Sequence, residues 1–97
     1  MSGFDAAAVL LPGDIRKTAY AMPEAVRAQA QEFRLRLHRM PSVTVPEGEI
    51  SMGYGQAVTR SDLTRMLEIA TQASPYYASA GIRNGFISTS GGVRVGL

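Results

Sequence analysis

Hydrophobic and polar residues alternate most regularly in the segment EFRLRLHR, residues 32–39. Phe33, Leu35 and Leu37 fall on one side of an extended chain there, and charged residues fall on the other. This period of two predicts a β-strand with one buried face. The segments SVTVP and GEISMG, which follow, predict two shorter strands joined by a turn at residues 46–48. We expect the three strands to form an antiparallel meander.

Helical patterns lie on both sides of this meander. In the first third of the chain, FDAAAVLL, LPGDIR and PEAVRAQAQ predict two or three short helices, because Pro12 and Pro23 each suit a first helical turn. The clearest helix is predicted over TRSDLTRMLEIATQAS, where Thr59 can cap the first turn and Asp62 follows three residues later. Its apolar stripe comprises Leu63, Met66, Leu67 and Ala70.

The C-terminal quarter of the chain predicts one more helix and a hairpin. The segment PYYASAGIRNG predicts a helix that starts at Pro75. Strands at residues 86–89 and 93–97 then flank a turn at Gly91 and Gly92. We expect the glycine pair to serve this turn, and a loop that cradles an anion is the alternative.

Together these elements predict a single α+β domain over residues 1–97. We expect a small antiparallel sheet of about five strands, with helices packed on one face and short helices at the N-terminus. The composition agrees, because 45% of the residues are hydrophobic and 19% are charged, as in an ordinary globular domain. The formal net charge of only +2 gives no dense positive field of the kind that attracts nucleic acid.

Several classes of chemistry are excluded by what the chain lacks. It has no cysteine, and its single histidine, His38, is expected to be an exposed strand residue. Its one lysine, Lys17, lies in a predicted helix without the glycines of a phosphate-binding loop. We therefore expect no enzymatic activity, cofactor or metal in this chain alone. The longest apolar run, residues 6–12, is far below the roughly 20 residues of a membrane span and has no basic leader, which predicts a cytoplasmic chain.

Arginine supplies the candidate binding chemistry. Arg34 and Arg36, two residues apart on the predicted strand, place their guanidinium groups about 7 Å apart on one face. This spacing suits a partner that carries carboxylates or phosphates. The alternative is a solvated face on which Glu32 and Glu49 pair with these arginines. Arg94 stands among small and apolar residues, so its partner is expected from elsewhere in a larger molecule.

Three segments carry a resemblance to a known family: EFRLRLHRMP, VTRSDLTRMLEIATQASPYYA and GFISTSGGVRVGL. Taken in order, they resemble the N-terminal region of the stage III sporulation protein AA family, ATPases of endospore formation. The match runs from near Leu11 to Leu97, almost the whole chain. The chain departs from the family pattern at Val93, where the family usually has histidine, and at Phe33 and Pro75.

The resemblance implies a function that depends on other domains. Members of that family continue into a P-loop ATPase domain and are similar to hexameric secretion and pilus-retraction ATPases. The terminal hairpin is therefore expected to precede a nucleotide-binding core. This chain would be a non-catalytic assembly and regulatory domain, and ATP and Mg²⁺ would bind to the full-length protein. Arg34, Arg36 and Arg94 would face either the nucleotide or a neighbouring subunit.

The same resemblance implies the partners of the chain. They are its own C-terminal ATPase domain, neighbouring subunits and the membrane components of the sporulation complex. The chain would be cytoplasmic, and binding to those components would hold it at the membrane periphery. Without its partner, the chain would leave apolar or arginine-rich surface exposed, so isolated copies are expected to associate.

A nucleic-acid-binding module is the competing interpretation. Its phosphate contacts would come from four arginines: Arg34, Arg36, Arg39 and Arg60. This interpretation is less favoured because acidic residues interrupt the basic ones along the chain, namely Glu32, Glu49, Asp62 and Glu68. A structural domain with no partner is a third possibility.

Overall fold

Four helices and five strands are present in the computed structural model, which describes residues 3–73, 85–88 and 92–96. In chain order they are α1 (Gly3–Ala8), α2 (Gly13–Tyr20), α3 (Glu24–Gln29), β1 (Glu32–Arg34), β2 (Ser42–Val45), β3 (Gly48–Ser51), α4 (Arg60–Ala73), β4 (Phe86–Ser88) and β5 (Arg94–Gly96). The short N-terminal helices and the long helix after Thr59 are confirmed. The helix predicted from Pro75 lies outside the described residues.

The strands form one mixed sheet in the order β3-β2-β1-β5-β4. Neighbouring strands are antiparallel except β1 and β5, which run parallel with Phe33 opposite Val95. The α+β class and the β1-β2-β3 meander are confirmed, but the prediction of a wholly antiparallel sheet was wrong. Alternation of residue types decides which face of a strand is buried and carries no information on pairing direction. The parallel ladder continues beyond the strand ends, because the N–H groups of Arg94 and Leu35 donate across it.

Strand β1 is shorter than the alternation predicted. It ends at Arg34, although buried and more exposed side chains continue to alternate as far as Arg36. Leu37 then forms only an isolated parallel bridge with Val58. His38 is exposed, as expected, but its left-handed φ of 66° is incompatible with an extended strand. The chain therefore turns away from the sheet at this position.

The two faces of the sheet differ in chemistry. The strand register aligns one row of apolar side chains across all five strands: Ile50, Val43, Phe33, Val95 and Ile87. The neighbouring row points to the opposite face and is polar: Glu49, Thr44, Glu32 and Arg94. An apolar and a polar face are typical of a sheet that packs against the core on one side only.

The apolar face and the helices share one hydrophobic core. Phe33 is fully buried, and its ring centroid lies 5.0 Å from that of Phe4 in α1. Ile15 of α2 and Met66 of α4 are buried in the same cluster. No residue of α3 is fully buried, so this short helix covers the core only partly.

Helix α4 begins at the capping box that the sequence predicted. The Thr59 hydroxyl accepts a hydrogen bond from the Asp62 N–H at 3.1 Å, and the Asp62 carboxylate accepts one from the Thr59 N–H at 2.9 Å. These reciprocal bonds satisfy amides that the helix itself leaves without partners. Within the predicted stripe, Met66 and Ala70 are buried, while Leu63 and Leu67 pack against the core partly exposed.

Candidate functional site

Five charged side chains gather on the polar side of the sheet, and we refer to them as the charged face: Glu32, Arg34, Arg36, Glu49 and Arg94. Three of them come from β1 and the residues just after it, one from β3 and one from β5. The register explains the grouping, because Glu32 lies opposite Arg94 on one side and opposite Thr44, which faces Glu49, on the other. The sheet thus brings together residues that are far apart in the sequence.

Glu32 bridges two of the arginines. Its carboxylate lies 3.0 Å from Arg34 Nε and 3.4 Å from Arg94 Nη2. The Glu32 side chain is only 15% exposed, whereas the Arg94 side chain is 49% exposed. Sequence reasoning expected a partner for Arg94 elsewhere in a larger molecule, and the structure shows one within the chain, Glu32. The reason is the parallel β1–β5 pairing, which the sequence did not predict.

Glu49 bridges Arg34 and Arg36 from the neighbouring side of the sheet. Its carboxylate lies 3.3 Å from Arg34 Nη1 and 2.5 Å from Arg36 Nη2. The hydroxyl of Ser42, a residue that is 5% exposed, also donates to this carboxylate. The alternative in which Glu32 and Glu49 pair with Arg34 and Arg36 is therefore confirmed.

These contacts shift the protonation of two groups in the charged face. The pKa of Glu49 is lowered, chiefly by the hydrogen bond from Ser42 and further by the positive charges of Arg36 and Arg34. The pKa of Arg34 is raised, chiefly by its hydrogen bond to Glu32. Both shifts favour the charged forms, so the ion pairs of Glu49 and Arg34 persist at neutral pH.

The lowered pKa of Glu49 predicts a contribution to stability that disappears in acid. A carboxylate whose pKa falls on folding stabilises the fold above its ordinary value of 4.5, and the effect is lost as pH falls through the folded-state pKa. We expect Glu49→Gln to lower the midpoint of urea unfolding at about pH 7, and to lower it much less at about pH 3. Ser42→Ala should show a weaker form of the same pattern. An equal deficit at both pH values would contradict this assignment.

The charged face is better suited to bind a protein surface than to bind a free phosphate. It combines three guanidinium groups with two carboxylates, and each carboxylate already bridges two arginines. An incoming phosphate would meet Glu32 and Glu49 as well as the arginines, so it would have to displace existing ion pairs. A protein surface that carries both signs of charge can instead extend the network.

The chain has no match among protein-family models, curated proteins or solved structures. The resemblance to the sporulation ATPase family therefore depends on the three quoted segments alone.

The other predicted site residues lie apart from the charged face or outside the described residues. Gly92 has the positive φ of 83° that suits a turn, and Gly91 is not among the described residues. Arg39 and Arg60 are exposed, and neither forms an ion pair with Glu32 or Glu49. The backbone of Arg39 contacts the segment just before α4, because Arg39 O accepts a hydrogen bond from the N–H of Val58.

Ser42 is the member of this site that sequence reasoning missed. Its hydroxyl is the largest cause of the lowered Glu49 pKa, but a lone serine in a short strand gives no signal without the register that sets it beside Glu49.

In the described part of the chain, no group of acidic and histidine side chains could hold a metal ion. No helix within the same residues has the length and apolar content to cross a bilayer.

Proposed function

We propose that this chain is a non-catalytic assembly and regulatory domain that docks through its charged face onto a P-loop ATPase domain or a neighbouring subunit. The observation that carries the proposal is the grouping of Arg34, Arg36 and Arg94 with two carboxylates on one exposed side of the sheet. The resemblance to stage III sporulation protein AA supplies the class of partner, an ATPase of endospore formation. In the related motors, an N-terminal sheet with helices on one face is followed by the nucleotide-binding domain.

Docking onto a subunit accounts for the charged face better than direct contact with nucleotide. The side chains of Arg34, Arg36 and Arg94 remain 38–49% exposed while they are ion-paired, so their outer N–H groups can donate to acceptors on a second surface. Ion pairs within the face hold the guanidinium groups in fixed positions before the partner arrives. Preorganised groups of this kind favour specific docking because less side-chain entropy is lost on binding.

The proposal assigns the cofactors to the partner and the regulation to this chain. ATP and Mg²⁺ would bind to the ATPase domain, and docking of the charged face would adjust turnover or subunit assembly. Membrane components of the sporulation complex would then hold the assembly at the membrane periphery. Within this arrangement Arg94, whose side chain is more exposed than those of Arg34 and Arg36, is the residue best placed to reach across the interface.

Binding to a purified P-loop ATPase domain of stage III sporulation protein AA tests the proposal directly. We expect saturable binding by calorimetry, and Arg94→Ala should weaken it by about tenfold or more because a preorganised charge is lost from the interface. Arg65→Ala is the matched control, since Arg65 pairs with Glu68 at 3.2 Å on the exposed side of α4. Absence of binding by the unaltered chain, or equal weakening by Arg65→Ala, would overturn the proposal.

The same material separates the competing functions. If Arg94 acts on nucleotide, Arg94→Ala should change the ATP turnover of the saturated complex as well as its affinity. A salt-sensitive affinity for single-stranded or duplex nucleic acid, reduced by Arg39→Ala and Arg60→Ala, would favour the nucleic-acid module instead. We expect only the protein complex to depend on the charged face.

A further inference from the structure

Strand β3 forms one edge of the sheet and directs part of its backbone outward. Thr44 O accepts from the Gln31 N–H, so Thr44 turns its backbone groups toward β1, and its neighbours Val43 and Val45 turn theirs toward β3. The backbone N–H and C=O groups of their partners Ile50 and Gly48 consequently point inward, toward β2. The N–H and C=O groups of Glu49 and Ser51 therefore point away from the sheet.

These outward groups lie beside an apolar groove. The groove runs between β3 and the segment that joins α2 to α3, with a volume of about 460 Å³. Its apolar lining includes Ala21, Met22, Pro23, Val26, Ile50 and Met52. Ile50 is 37% exposed and stands on the apolar side of the sheet, where its neighbours in the same row are buried. An extended chain added to this edge would alternate its side chains between the groove and the polar side of the sheet.

We propose that β3 and this groove bind an extended peptide segment of a partner protein in which apolar residues alternate with basic ones. Backbone pairing with Glu49 and Ser51 would supply the affinity, and the groove beside Ile50 would accept an apolar side chain. Charge complementarity selects the basic residues, because the charged residues of β3 and of the turn before it are both acidic: Glu47 and Glu49. A carboxylate accepts about four hydrogen bonds, so Glu49 has room for a further donor beyond its three described partners.

A second copy of the chain fits this edge less well than a peptide. Stable dimers bury about 800 Å² on each partner, whereas β3 offers outward backbone groups only at Glu49 and Ser51. Two copies paired along β3 would also bring together two strands whose charged residue is Glu49. A short basic peptide avoids both disadvantages. This proposal does not depend on docking through the charged face.

A fluorescein-labelled peptide of the sequence Gly-Lys-Val-Lys-Val-Lys-Gly, capped at both ends, is the probe. We expect saturable binding to the full chain below about 1 mM in fluorescence anisotropy. Replacing the central lysine of the peptide with proline should weaken binding about tenfold, because proline removes an N–H and disfavours strand pairing. In the chain itself, Ser51→Pro should have a similar effect, while Ser51→Ala, which keeps the N–H, should leave binding unchanged.

Amide hydrogen exchange gives a second readout that does not rely on variants that could unfold. In the free chain the outward amides of Glu49 and Ser51 should exchange faster than the inward amide of Ile50, and the peptide should slow the first two. Absence of binding at 1 mM, or peptide binding that leaves these two amides unchanged, would overturn the proposal. If the chain dimerises and Ser51→Pro abolishes the dimer, the edge of β3 binds a second copy, and this result would also overturn the proposal.

Discussion

Replacement of Phe33 by alanine is expected to lower the free energy of unfolding by about 3–5 kcal/mol. Phe33 is fully buried, with 0% relative exposure, and it occupies the centre of the apolar row on the central strand β1. Its ring packs against Phe4 at a centroid distance of 5.0 Å, so the truncation would leave a cavity between the sheet and α1. Since small domains are stable by only about 5–15 kcal/mol, this variant would lose a large part of its stability.

Urea unfolding followed by circular dichroism measures this effect. Phe33→Leu, which retains most of the apolar volume, should cost clearly less than Phe33→Ala. Tyr20→Ala is the surface control, because Tyr20 is 41% exposed and its truncation should change the free energy of unfolding by no more than about 0.5 kcal/mol. A loss below about 1 kcal/mol for Phe33→Ala would show that α1 does not pack on the sheet as described.

Reversal of the charge of Glu49 is expected to destabilise the charged face. Glu49→Lys removes the carboxylate that Arg34, Arg36 and Ser42 share, and it places a third cation beside the two arginines. Like charges at this separation repel, and the Ser42 hydroxyl loses its acceptor. The midpoint of urea unfolding should therefore fall by more than it does for Glu49→Gln.

A charge swap isolates the electrostatic part of that loss. The double variant Arg36→Glu with Glu49→Lys restores an ion pair at the same place, so it should be more stable than the sum of the two single changes predicts. Glu68→Lys is the matched control, because Glu68 pairs with Arg65 in an exposed pair on α4. Strict additivity of the two single changes would show that the Arg36–Glu49 contact does not couple them.

The buried side of β1 could be predicted from residue order alone. Alternation around Phe33 and Leu35 separates an apolar from a charged face, and both residues are fully buried. The same alternation placed Arg34 and Arg36 together, and the alternative interpretation named Glu32 and Glu49 as their partners. The capping box of α4 could also be predicted from the sequence, because it depends on residues three positions apart.

What could not be predicted depends on strand register and direction. The partner of Arg94 became visible only when β5 paired parallel to β1, which sets Glu32 opposite Arg94. Ser42 acquired its role in the same way, through the register that brings it near Glu49. The left-handed backbone of His38, within the segment predicted as a strand, could not be predicted either, because a non-glycine residue gives little warning of a positive φ.

The central position of β1 has a consequence for the order of folding. Helices α1 to α3 and the meander can assemble from neighbouring segments, but β1 receives its second partner only from β5, near the other end of the chain. Pairing of such distant segments is entropically slow, so closure of the sheet is expected to follow collapse of the N-terminal half. During synthesis one edge of β1 would therefore stay open until β5 has left the ribosome.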